Sequence, residues 1–186
     1  MSRDYIDFLV SPLAGAPRSL IESIRLLSNS SSGFCRSWST QELSDAEATS
    51  VEAFGLLDHI QNELLRRRDD RKNLPNWIGS PLEQALAQPV GELVEPATSA
   101  IELSFNAQVM GSGSIPAGAT TTPLKLADAL NKLKHRASNK VNFSISATGD
   151  HHLIVFTLGG MGRPNSIAAF DVQGFCVACK AAAGCI

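Results

Sequence analysis

Apolar positions recur at helical spacing along most of the chain and change to alternation only after Lys140. A short helix is expected in Asp4 to Val10, and another beginning at Pro17, whose fixed φ suits a first helical position. The second carries Leu20, Ile24 and Leu27 on one face, and the loop-like Ser28 to Gly33, "SNSSSG", is expected to end it. Ser44-Asp45-Ala46-Glu47 reads as a capping box, in which serine and glutamate satisfy each other's backbone amides. The helix it opens aligns Val51, Phe54, Leu57 and Leu64, with Ile60 and Leu65 broadening the stripe. It finishes in Arg66 to Lys72, "RRRDDRK", whose cations suit a helix C-terminus and whose run of charge reads as a solvated end.

Ser80, Pro81 and Glu83 mark a further helix start. Beyond Pro96, Ile101, Phe105 and Val109 step by four as in a helix, while Ile101, Leu103 and Phe105 also alternate as in a strand. Gly111 to Thr122 is a loop by composition, and Thr122-Pro123 is expected to start a helix reaching Lys140 with Leu126, Leu130, Leu133 and Ala137 as its apolar seam. The period then becomes two. Val141, Phe143 and Ile145 share one strand face, "TGD" turns the chain, "HHLIVFTLGG" follows as a second strand and "SIAAFDV" as a third. The expected fold class is α+β in a single domain, 1–186. A bundle of about four to six helices, residues 1–139, precedes an antiparallel β-meander with a short C-terminal helix, residues 140–186.

Composition narrows the function classes. With 44% hydrophobic and 18% charged residues the chain can bury a core, and a net charge of -2 requires any contact with nucleic acid to come from a local patch. No apolar run approaches the ~20 residues that span a bilayer, and the acidic start is unlike a secretion signal. The reading is therefore cytoplasmic, with no membrane partner and four reduced cysteines.

The obvious chemical motifs are sparse. Cys176-Val177-Ala178-Cys179 has the spacing of a zinc or redox pair, but no second pair accompanies it, so both cysteines are expected to face inward from a helix that starts at Asp171 or Gln173. Gly159, Gly160 and Gly162 are similar to a phosphate loop, yet the next element reads as a strand and the segment as a hairpin loop, with Arg163 at its tip. His151 and His152 begin a strand and so point to opposite faces, and His59 reads as a core or boundary residue. GxSxG and HExxH are both absent from the sequence. No metal site and no cofactor is expected.

The basic segment "LADALNKLKHRASNK", Leu126 to Lys140, carries more. Opposite its leucine seam, Asp128, Asn131 and His135 align as a polar stripe flanked by Lys132 and Arg136, with Lys134 and Lys140 near the end. Histidine is the side chain suited to proton transfer near neutrality, and the cations suit phosphate. Asn131 to Arg136, in an amphipathic helix after a helical bundle, resembles the HEPN superfamily of small helical proteins in bacterial defence, toxin and RNA-processing systems. Catalytic members carry an arginine, usually followed by a polar residue, with four to six residues between the arginine and a histidine, and cleave RNA without metal at a dimer interface. The resemblance covers about Ser44 to Ala137. It implies His135, Asn131 and Arg136 as catalytic residues and Lys132, Lys134, Lys140 and Arg163 as contacts to RNA phosphates. Leu130 stands where the family has its arginine. The expectation is a protein that binds or cleaves RNA; the alternative is a non-catalytic interaction module, a homodimer or a binder of a protein partner, whose basic helix meets an acidic partner surface. A third reading has Cys176 and Cys179 hold a metal.

Overall fold

In a computed structural model the chain is described over residues 19–160 and 162–186, with backbone alone at 138 and 139. The helix expected in Asp4 to Val10 and the start expected at Pro17 lie outside the described residues. Within them are helices α1 (Leu20–Ser39), α2 (Leu43–Arg71), α3 (Pro81–Leu86), α4 (Ser99–Asn106), α5 (Leu126–Lys134) and α6 (Val172–Ala183). The strands are β1 (Pro89–Val94), β2 (Thr122–Lys125), β3 (Arg136–Ile145), β4 (His151–Thr157) and β5 (Ser166–Asp171). The fold is α+β, and the sheet is antiparallel in the order β2-β1-β5-β4-β3.

The meander expected from the sequence is β3-β4-β5. Two strands that the pattern did not announce extend it. β1 has a half-buried pattern too short to read as alternation, and β2 occupies the segment expected to begin a helix. Pro123 is tolerated there because β2 is an edge strand.

β4 is buried on both faces. Leu153 and Val155 meet the cluster formed by α1, α2, α3, α5 and α6, whereas Ile154 and Phe156 meet Val94, Ile167 and Phe105 of α4 on the other side. Alternation along one strand thus supplies two cores.

Helix α1 runs straight through the segment expected to be a loop. Phe34, Cys35 and Trp38 continue its buried face into an aromatic cluster with Phe143, and Ser28, Ser31 and Ser32 find hydrogen-bond partners in place. Ser28 Oγ donates to Gln173 Oε1 at 2.6 Å, and Gln173 Nε2 returns a bond to the Ser28 carbonyl at 2.9 Å. Tertiary partners override the weak local helix preference of serine.

The α1–α2 reversal is a Schellman turn. The Glu42 amide donates to the Ser37 carbonyl at 2.8 Å and the Gln41 amide to that of Trp38 at 3.2 Å, with Gln41 in the left-handed region at φ 62. Because this turn sets where α2 begins, Ser44 falls inside the first turn and Glu42 takes the cap position without a side-chain bond. The expected capping box is not formed. Ser80 does cap α3, accepting from the Glu83 amide, and Asp171 caps α6 from Gly174.

The charged end of α2 is internally paired, Arg66 with Glu63, and Asp69 with both Arg68 and Lys72. Arg71 instead ties the helix to the C-terminus through the carbonyls of Cys185 and Ile186. Among the described residues, no helix is long and apolar enough to cross a membrane.

Gly91 marks the tightest seam between β1 and β5. A Cβ there would lie 2.1 Å from the Ala169 carbonyl oxygen, with backbone that cannot yield, whereas one at Gly160 would meet open space. Gly91→Ala is expected to lower stability by about 1–3 kcal/mol, and Gly160→Ala by less than about 0.5 kcal/mol, in urea denaturation. Equal midpoints for the two variants would show that the seam is loose.

Candidate functional site

The basic segment does not form one helix. Leu126, Leu130 and Leu133 are all fully buried as its pattern requires, but α5 stops at Lys134, His135 caps it and Arg136 begins β3. After Leu133 the next inward residue at helical spacing is only Ala137, while pairing of Arg136 with Thr157 lets the strand of Val141 and Phe143 extend backwards. The break redirects half of the expected cations.

Arg136 turns towards α2. Its guanidinium grips Asp58 with both nitrogens, at 2.7 and 3.1 Å, donates to the Leu133 carbonyl and lies 5.1 Å from the centre of the Phe54 ring. It is a cross-link between α5 and α2 and does not line the cleft described below. Lys140 lies away from that cleft as well, bonded to Glu102 at 2.6 Å and over the Phe156 ring. Lys134 is exposed beyond the cleft.

The remaining candidates do meet. Asp128, Asn131, Lys132 and His135 from α5 face Gly159, Gly160 and Arg163 of the β4–β5 loop across a cleft of about 810 Å³. Glu95, Thr122, Thr157 and Ser166 complete its polar lining. The position of α5 is held from below, where Thr157 Oγ1 donates to the Lys132 carbonyl at 3.3 Å. The loop is held by Asn165, which accepts from the Gly159 amide at 2.8 Å and donates to Glu102 at 3.1 Å. Asn131 Nδ2 is committed to the Ala127 carbonyl, so the polar atom of its side chain with no partner among the described residues is the amide oxygen, an acceptor.

Charge in the cleft is balanced. Lys132 is bonded to Glu95 at 2.5 Å, so Arg163 is the one lining cation with no carboxylate partner among the described residues. Ser166 is buried and its Oγ has no hydrogen-bond partner among the described residues, an unmet polar group at the cleft wall.

A second cavity, about 410 Å³ and nearly apolar, lies between the turn end of the α1–α2 hairpin and β3–β4. Here sequence reasoning passed over a pair that only the fold assembles: Ser31 Oγ and His151 Nδ1 lie 3.0 Å apart although 120 positions separate them. The two histidines of β4 do face opposite sides as expected, His151 inward and His152 exposed. The signal that could have located the pair was a small polar residue on the buried face of α1 opposite the inward position of a strand.

The cysteine pair faces inward on α6, as expected. Burial pushes the Cys176 thiol up to about 12 and Cys179 well above the ordinary thiol range. Both are therefore uncharged thiols packed in the core, a poor starting state for metal binding or redox exchange. Comparison with protein-family models, with curated proteins and with solved structures finds no match to this chain.

Burial lowers the His151 imidazole to about 4, with Asp171 pulling the other way and His152 adding to the drop. The unfolded chain, with an ordinary histidine near 6.5, therefore takes up this proton first as pH falls. The contribution is constant above about pH 6.5 and is lost between about 6.5 and 4, at up to about 1.4 kcal/mol per pH unit. His151→Phe should remove that part of the slope, measured as the difference between the two proteins' urea midpoints across this range. A constant difference would contradict the burial of a neutral imidazole.

Proposed function

We propose that this protein binds RNA in the cleft between α5 and the β4–β5 loop, holding one phosphate and its nucleotide through Asn131, His135 and Arg163. The observation that carries the reading is the convergence of the helix residues Asp128, Asn131 and His135 with the loop residue Arg163 on one cleft. The choice of RNA rests on the HEPN resemblance. The cleft's volume suits one or two nucleotides rather than a long tract.

Binding is the activity this arrangement supports, ahead of cleavage. Leu130, at the position of the family's arginine, is buried in the core, and Arg136 is engaged by Asp58. The guanidinium that remains for a phosphate is Arg163. Cleavage would use His135 to move the proton of a ribose 2′-hydroxyl or of the leaving oxygen, with Arg163 alone offsetting charge on the phosphate.

With one unpaired cation in the cleft, the salt dependence should be shallow. For a short single-stranded RNA followed by fluorescence anisotropy, log K should fall with log salt at a slope near about −0.7, the value for one neutralised phosphate. Arg163→Ala should weaken binding roughly tenfold and flatten that slope, His135→Ala should also weaken it, and Lys134→Ala should change little. Any cleavage should vanish in His135→Ala. A steep slope, or a loss on Lys134→Ala as large as on Arg163→Ala, would place the contact on the exposed end of α5, where the interaction-module alternative puts it. Indifference to all three substitutions would refute the cleft.

A further inference from the structure

We infer that the apolar cavity between the α1–α2 hairpin and β3–β4 is a binding site for an uncharged, ring-bearing small molecule with one hydroxyl group, anchored by the Ser31–His151 pair. The site is separate from the cleft of the proposed function and lies at the opposite end of β4, so neither stands or falls with the other.

The walls argue for rings. Phe34 and Trp38 stack at 6.1 Å, and Phe143 sets its edge against both at 4.8 Å, an arrangement that presents aromatic faces and edges to an occupant. The volume of about 410 Å³ falls in the range of small-molecule pockets, roughly 300–1,000 Å³. The rim supports an occupant as well. Val51 belongs by sequence to the apolar stripe of α2, yet it is 70% exposed and faces this cavity with Leu43 and Met110, both also exposed. An apolar stripe position that the core does not use borders an apolar cavity that can use it.

The polar content sets the ligand's chemistry. Glu47 is the cavity's one carboxylate, and no lysine or arginine lines it, so an anionic ligand would find no counter-charge. His151 is held against Phe34 at 5.0 Å with its ring nearly parallel, and burial keeps it neutral near pH 7. Its Nδ1 is engaged with Ser31, and its Nε2 has no hydrogen-bond partner among the described residues. A neutral imidazole offers a donor or an acceptor at that nitrogen according to tautomer, and a hydroxyl can answer either. A carboxylate could answer only the donor tautomer, without a counter-charge in the cavity, and an ammonium only the acceptor tautomer.

The test uses the full chain and N-phenyl-1-naphthylamine, a neutral probe that brightens in apolar sites and accepts energy from Trp38; Trp77→Phe leaves Trp38 as the only tryptophan. The probe should brighten with the intact protein under excitation of Trp38. In competition 1-naphthol should displace it about five- to tenfold more effectively than naphthalene, the difference one hydrogen bond makes. His151→Phe, which keeps a ring on Phe34, should abolish the advantage of naphthol and leave naphthalene unchanged. Ser50→Phe, on the lining of α2, should exclude the probe. Circular dichroism checks each variant's fold, and Ala53→Leu repeats the filling if Ser50→Phe misfolds. The inference is overturned if the probe stays dark, if it brightens equally in a folded filled variant, or if the naphthol advantage survives His151→Phe. Sedimentation showing a dimer that Ser50→Phe dissolves would overturn it too, by making a second copy the occupant.

Discussion

Burial of β4 on both faces is the constraint on which the rest of this structure depends. From Leu153 to Thr157 every side chain of the strand is buried, with odd positions meeting the helices and even positions meeting α4 and the edge of β1. A strand with no solvent face has its register pinned from two sides, since a slip by one residue would exchange both cores at once. That fixes its two ends. His151 is delivered to the apolar cavity at one end, and Thr157 supports α5 and the polar cleft at the other.

Ion pairing decides which charges are available for anything beyond folding. Arg136, Lys132 and Lys140 look like one basic surface when placed on a single helical wheel, but each is spent on a different carboxylate: Asp58, Glu95 and Glu102. Two of these contacts join segments far apart in sequence through partly buried groups, where the loss of one partner leaves an uncompensated charge. The basic segment is thus largely structural, and the cleft beside it is close to neutral. This is a surface for a small number of specific polar contacts rather than for electrostatic capture of a polyanion.

Much of the fold was legible where one residue's neighbours in sequence are also its neighbours in space. The inward stripe of α2 from Phe54 to Leu65, the leucine seam of α5, the three meander strands and the inward cysteines of α6 all follow from local periodicity. The misreadings share one physical cause. The serines of α1 look like a loop until Gln173 and His151 are brought to them, and Thr122 to Lys125 looks like a helix start until β1 offers it a ladder. Arg136 to Lys140 continues a helical charge pattern, yet β3, paired with β4, claims it as strand. At the candidate site, Asp128, Asn131 and His135 were legible as a stripe and Arg163 as a loop cation. The Ser31–His151 pair was not, because nothing in either segment announces the other.

The cleft is the central functional claim, and backbone amide NMR during titration with uridine 3′-monophosphate addresses it most directly. The account predicts saturable shifts at Asn131, Lys132 and His135 and at Gly159, Gly160, Gly162 and Arg163, with Ser31, Phe34, Trp38 and His151 unmoved. Shifts concentrated around the α1–α2 turn, or none at saturating nucleotide, would contradict it.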